Sequence, residues 1–143
     1  MDSLSEFNFH SEDILFDLQK KPAIISWLSY SIKNEHKDLG EISYIFCSDK
    51  YLHEINLKHL NHDTLTDIIT FDYCEGKIIN GDLYISVERI RDNAKIYNTS
   101  IENELHRVMI HGIMHLCGYK DKTSEDQNVM SDKEDFYLNL RDF

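Results

Sequence analysis

The stretch HGIMHLCGYKD, residues 111–121, constrains this chain more than any other. His111 and His115 stand four residues apart, and on an α-helix that spacing places one side chain above the other. Two imidazoles from one turn are a ready anchor for Zn²⁺ or a similar divalent ion. A third ligand has to come from beyond the helix. Gly118 suits the left-handed residue that ends a helix and turns the chain back, and Asp121 follows ten residues after His111. His111, His115 and Asp121 are therefore expected to form a two-histidine, one-carboxylate set around one ion. Its fourth position stays open, the mark of a catalytic rather than a structural site.

The residue after the first histidine narrows the chemistry. A zinc peptidase of the HExxH type carries glutamate there, to take the proton from the attacking water. Here it is Gly112. With that base absent, an ordinary peptidase mechanism is not expected, and the glycine offers close backbone approach instead, for helix packing or for substrate.

The rest of the chain is that of one globular domain spanning 1–143. Hydrophobic residues make up 41% and charged residues 29% of its 143 residues, enough for a single sizeable core. There are no repeats, linkers or low-complexity tracts. The opening MDSLSEFNFHSED is acidic, with no basic segment ahead of an apolar run, so an ordinary signal peptide is not expected. No apolar stretch approaches a membrane span. Cys47, Cys74 and Cys117 are odd in number and form no CxxC pattern, which fits small buried thiols in a reducing cytoplasm. A net charge of −11 argues against a free-standing electrostatic nucleic-acid binder. It leaves room for RNA as a substrate, because a metal ion and a local basic stripe act within an acidic surface.

Periodicity predicts strands at 6–10, 41–48, 67–73 and 81–86, the last two joined by a loop containing EGK and NG. Helices are expected from about Lys21 to Lys37, with Pro22 in its first turn and Gly40 as its stop, and through 49–60 behind a Ser48 cap. A third starts at Ser86, with Val87, Ile90, Ala94 and Tyr97 as its apolar stripe. Thr99 and Glu102 offer a capping box for the histidine helix. A final helix follows 123–127, with Val129, Met130, Phe136, Tyr137 and Leu140 inward. That order implies an α+β fold, a small mixed four-stranded sheet packed with about five helices. His106 points away from His115 and reads as a surface or core histidine, while Cys117 reads as core packing. Glu104, two turns before His111 on the same face, stands either behind the ligands or on the surface.

The motif HGIMHLCGYKD resembles the signature of the YbeY family of bacterial endoribonucleases, HGxLHLxGYDH. INLKHLNHDTLTDIITFDY (55–73) resembles that family's LN-containing helix and TDVLSF-type strand, and GDLYIS (81–86) its GDIxIS strand. The resemblance implies a zincin-like fold, a divalent metal, usually zinc, and cleavage of single-stranded RNA in 16S ribosomal RNA 3′-end maturation and ribosome quality control. It also implies a cytoplasmic protein whose partners are ribosomal RNA, the small ribosomal subunit, ribosomal proteins or a ribosome-associated GTPase. Two positions depart from the pattern: Asp121 stands where the family has its third histidine, and Leu60 where it has an arginine that serves substrate binding or catalysis. Aspartate is a competent ligand, but the complex carries one less positive charge and is a weaker Lewis acid, more tolerant of hard ions such as Mn²⁺.

In place of that arginine, His62 in the loop before the strand is the first candidate, ahead of His59 and Lys58, with Arg107, one turn before His111, as another. Asp67 or Glu104 is the candidate proton acceptor. Lys120 and Lys122, with Arg91 and Arg107, are the cations that would guide phosphate, whereas Arg89 and Lys95 read as ordinary helix-face charges. The attacking group would be water or the RNA 2′-hydroxyl. Two other readings stay open: a zincin-like hydrolase of a non-RNA substrate, and a metal-stabilised ribosome-associated module that cuts nothing.

Overall fold

Alternating apolar residues account for the sheet, and Ser48 and Ser86 mark where two of its strands give way to helices. The computed structural model describes residues 6–60 and 66–143. Chain order is β1 (Glu6–Ser11), α1 (Lys21–Asn34), β2 (Asp38–Cys47), α2 (Asp49–Leu60), β3 (Ile68–Asp72), β4 (Ile78–Ser86), α3 (Val87–Ile96), α4 (Ile101–Leu116) and α5 (Ser124–Asn139). The strands form one sheet in the order β1-β2-β4-β3. β1, β2 and β4 are parallel, and β3 pairs antiparallel with β4 at the edge. This is the expected α+β architecture.

The period of two in β2 and β4 sends residues to opposite faces. Ile42, Tyr44 and Phe46 join Leu83 and Ile85 in the main core, with Trp27 and Leu28 of α1 and most of α4. Cys47 and Ile69 pack with Leu52 of α2 in a smaller cluster, joined by Tyr84 and Phe71. The Tyr44 hydroxyl donates to the Met109 carbonyl at 2.9 Å, tying the centre of β2 to α4.

Helix α4 is buried almost all round. After Ile101 and Glu102 only Asn103, Arg107, His111 and His115 are even half exposed, one every four residues, and they form a single stripe down one side. An adjoining side meets the sheet closely at Gly112. A Cβ on that residue would lie 2.2 Å from Leu83 Cδ2 and 3.0 Å from Ile68 Cδ1. Of the two uses of close approach that Gly112 allows, the structure shows helix-to-sheet packing.

Several boundaries differ from expectation for local reasons. Helix α1 ends at Asn34 and the chain turns through His36, at φ 61°. Gly40 therefore stops no helix. It lies inside β2, at an irregularity between Leu39 and Ile42, where Asn80 Oδ1 accepts the Glu41 N–H at 2.8 Å. β4 begins at Ile78 rather than at Gly81, so Asn80 belongs to the strand rather than to a loop. The N-cap of α4 is Ser100, whose side chain accepts from the Asn103 N–H, while Thr99 Oγ1 accepts from the Asn103 side chain. Thr123 caps α5 in a full capping box with Asp126. Tyr97, Val129, Phe136 and Leu140 do not face inward as expected; all four are exposed, because α3 and α5 are covered on one side only.

One buried carboxylate joins three segments. Glu35, at the C-cap of α1, accepts from Tyr119 Oη at 2.6 Å and from Lys133 Nζ at 3.0 Å. The Tyr137 hydroxyl donates to it as well. Burial alone would raise the Glu35 pKa, but the hydrogen bonds from Tyr119, Tyr137 and Lys133 outweigh it and hold it below the usual carboxylate value. A depressed pKa contributes stability above the unfolded value, and that stability is lost as pH falls through the folded value. Glu35→Gln is accordingly expected to lower the urea midpoint at pH 7, with the gap from wild type closing in acid.

Gly112→Ala tests the packing of α4. Overpacking costs roughly 1–3 kcal/mol, against the roughly 1 kcal/mol that alanine gains over glycine in a helix. Net destabilisation in urea unfolding is the expected outcome. Gly112→Glu, which would restore the peptidase pattern in sequence, is expected to fail to fold.

Candidate metal centre

The exposed stripe of α4 ends in the two histidines, and Gly118, at φ 109°, turns the chain back over them. His111 Nε2 and His115 Nε2 lie 2.9 Å apart. Asp121 Oδ2 sits 3.2 Å from His115 Nε2 and 3.5 Å from His111 Nε2. These three residues are the group among the described residues whose ligand atoms come close enough together to hold a metal ion.

The other ring nitrogens decide what those atoms offer. His111 Nδ1 is 2.6 Å from Glu134 Oε2, and His115 Nδ1 is 3.0 Å from the Tyr119 carbonyl oxygen. Both partners only accept, so each Nδ1 carries the proton and each neutral ring presents an Nε2 lone pair. Two lone pairs and a carboxylate oxygen thus converge with no proton between them. A tetrahedral ion with bonds of about 2.0–2.1 Å separates its donors by about 3.3 Å, within the observed range. The donor set fits a divalent ion.

Glu134 was not evident as a site residue from the sequence. Its one signal is an acid on the inward side of α5, between buried Met130 and Tyr137. It fixes the His111 tautomer through Oε2 while Oε1 accepts from Arg107 Nη1 at 2.9 Å. Arg107 Nη2 also donates to Asp135 at 2.7 Å. Arg107 is therefore held between two carboxylates on α5.

Asp67, just before β3, lines the clefts on both sides of the ligands. Its burial raises the carboxyl pKa, opposed by nearby His111. Glu104 is buried, so it is no surface acid, and it bonds to neither ligand histidine. His62 lies outside the described residues, as does the side chain of Leu60. Lys120 and Lys122 line one cleft, whereas Arg89 pairs with Asp49 at 2.9 Å and neither it nor Lys95 lines either cleft. His106 proves to be a core histidine, packed at an angle against the rings of Trp27 and Phe143 and accepting from Arg141 Nη1 at 2.7 Å. Burial pushes its pKa down to about 4. Cys117 packs against the core as expected, and burial pushes its thiol up to about 12.

Fold and centre together define an α+β domain built round a two-histidine, one-carboxylate constellation of the kind that holds a divalent ion. The model of the family described as Endoribonuclease YbeY matches residues 6–141. The chain belongs to the YbeY family. A Flavobacterium johnsoniae protein named Endoribonuclease YbeY is 56% identical over 129 residues, covering 90% of this chain and 91% of the relative. One of the same name from Cytophaga hutchinsonii is 46% identical over 136 residues, covering 94% and 95%. The solution structure of a Thermotoga maritima protein superposes with a TM-score of 0.65 at 25% identity, covering 94% of this chain and 87% of that one.

The Glu134 contact generates a direct test. Partners of this kind typically change metal affinity by about 10–100-fold. Glu134→Gln is expected to weaken Zn²⁺ binding by that factor in competition with a chromophoric chelator, with the fold retained.

Proposed function

We propose that this chain is a metal-dependent, single-strand-specific endoribonuclease acting in 16S ribosomal RNA 3′-end maturation and 70S ribosome quality control. Family membership and the name carried by its relatives support the reaction class. The observation that carries it in this chain is the convergence of His111, His115 and Asp121 at the edge of a cleft that also holds Lys120 and Lys122. His111, His115 and Asp121 hold one ion, Zn²⁺ or another divalent metal. When bound, that ion acidifies water and polarises a phosphate oxygen.

The protein residues supply the rest. Lys120 and Lys122 bring two ammonium groups to the phosphates of the strand, a local attraction inside an acidic protein. Asp67 is the proton acceptor: it is half-buried beside His111, and its raised pKa makes it more basic than a surface carboxylate. Arg107, through Glu134, keeps His111 in position, and His62 is the candidate for contact with substrate in the place of the family's arginine. Gly112 leaves no acid at the position where a zinc peptidase of the HExxH type carries its glutamate. The partners in this reading are the small ribosomal subunit with its RNA, and ribosomal proteins or a ribosome-associated GTPase, in the cytoplasm. No helix among the described residues is long and apolar enough to cross a membrane.

The test compares wild type with His115→Ala in metal content, in cleavage of single-stranded RNA and in cleavage of a peptide library. Metal-dependent RNA cleavage, lost in a folded variant together with the ion, is the expected result. Bound metal with RNA left intact would overturn the reading and favour a binding module. Asp121→Ala separates the two further, since loss of a structural metal takes folding stability with it, whereas here the variant is expected to stay folded and inactive.

A further inference from the structure

The cleft with Lys120 and Lys122 covers one side of the centre, and a second cavity of 870 Å³ lies on the other. His111 and Asp121 stand at the junction of the two. The second cavity is walled by Asn93 from α3 and Tyr97 at its C-cap, Glu104 and Arg107 from α4, and Asp67. Glu104 is the residue to explain. It is only 4% exposed, and no hydrogen bond or ion pair joins its carboxyl to another described residue. Its oxygens open onto this cavity.

A buried acid without a partner is unfavourable unless something else supplies the bonds. Burial, reinforced by Asp67 and Glu134 and opposed by Arg107, pushes its pKa up to about 7. The charge of the walls says what fits. Asp67, Glu104, Glu134 and Asp135 surround one guanidinium that already bonds to two of them, so a phosphate is repelled. An uncharged group rich in N–H donors is complementary. Tyr97, at the C-cap of α3 and 66% exposed, presents a ring on which a flat ligand stacks. Asn93 adds an amide able to donate and accept.

We propose that this cavity holds a nucleobase adjoining the scissile phosphate, with Tyr97 stacking on the ring and Glu104 accepting hydrogen bonds from its exocyclic amino group. The inference rests on the ribonuclease reading and deepens it: the backbone passes on the lysine side, and one base is read on the acidic side. Adenine, cytosine and guanine carry such an amino group. Uracil flanks its one ring N–H with carbonyl oxygens and is the poorest match.

Calorimetry on the metal-loaded protein with the four ribonucleoside monophosphates decides the matter, alongside cleavage of oligoribonucleotides that vary one base at a time. The three amino-bearing nucleotides are expected to bind about tenfold more tightly than uridine monophosphate. Glu104→Gln presents an N–H as well as an oxygen and should erase that difference. Tyr97→Ala, at an exposed position, should weaken all four about tenfold, with binding recovered in Tyr97→Phe. Equal binding of the four nucleotides, or binding untouched by Tyr97→Ala, would overturn the proposal even if Glu104→Gln proved unfoldable. RNA cleavage without base preference would sink the pocket and leave the ribonuclease standing. The predicted binding pattern without any cleavage would do the reverse.

Discussion

The contact of α4 with the sheet at Gly112 sets the position of everything functional in this molecule. With no side chain there, the helix lies directly on Leu83 and Ile68. Its remaining faces are taken up by the core, leaving one stripe half open. That stripe runs Asn103, Arg107, His111, His115, so the same packing that buries the helix selects which side chains reach the clefts. Glycine in place of a peptidase's glutamate is thus a packing residue first. The change in chemistry is its consequence, since the base is missing from a position where no side chain fits.

Around that helix, two sets of hydrogen bonds hold His111 and His115 from opposite sides. Glu134 reaches His111 from α5, itself steadied by Arg107. The Tyr119 carbonyl receives His115, and the Tyr119 hydroxyl is anchored on Glu35, which also binds Lys133 and Tyr137 of α5. The turn that brings Asp121 to the histidines is thereby fastened to the C-terminal ends of α1 and α5. A short polar loop would otherwise place its carboxylate poorly, and 45% of the Asp121 side chain is exposed.

What could be read from the sequence was what local spacing encodes. The order of strands and helices followed from periods of two and about 3.6, and the convergence of His111, His115 and Asp121 from their spacing about a glycine turn. The supporting residues depend on contacts distant in sequence: Glu134 stands 23 residues from its histidine, and Glu35 lies 84 residues from Tyr119. No local pattern announces such pairs. Apolar stripes misled where they extended past the covered face of a helix, as for Tyr97, Val129 and Phe136. Thr99 and Ser100 are both competent caps, and only the path of the chain into α4 chose between them. Glu104 was read as lying behind the ligands or on the surface, and it does neither, because periodicity gives the direction of a side chain but not the presence of a cavity beside it.

The position of Glu134 in the chain has a consequence for biosynthesis. A growing polypeptide possesses His111, His115 and Asp121 once the last of them has been added, yet the group that fixes the His111 tautomer arrives only with α5. Until then the His111 ring is free to place its proton on either nitrogen, and the ligand set is incomplete in chemistry though complete in composition. A ribonuclease made by the very machine whose RNA it would cut thus gains the group that fixes its His111 only when its last described helix docks.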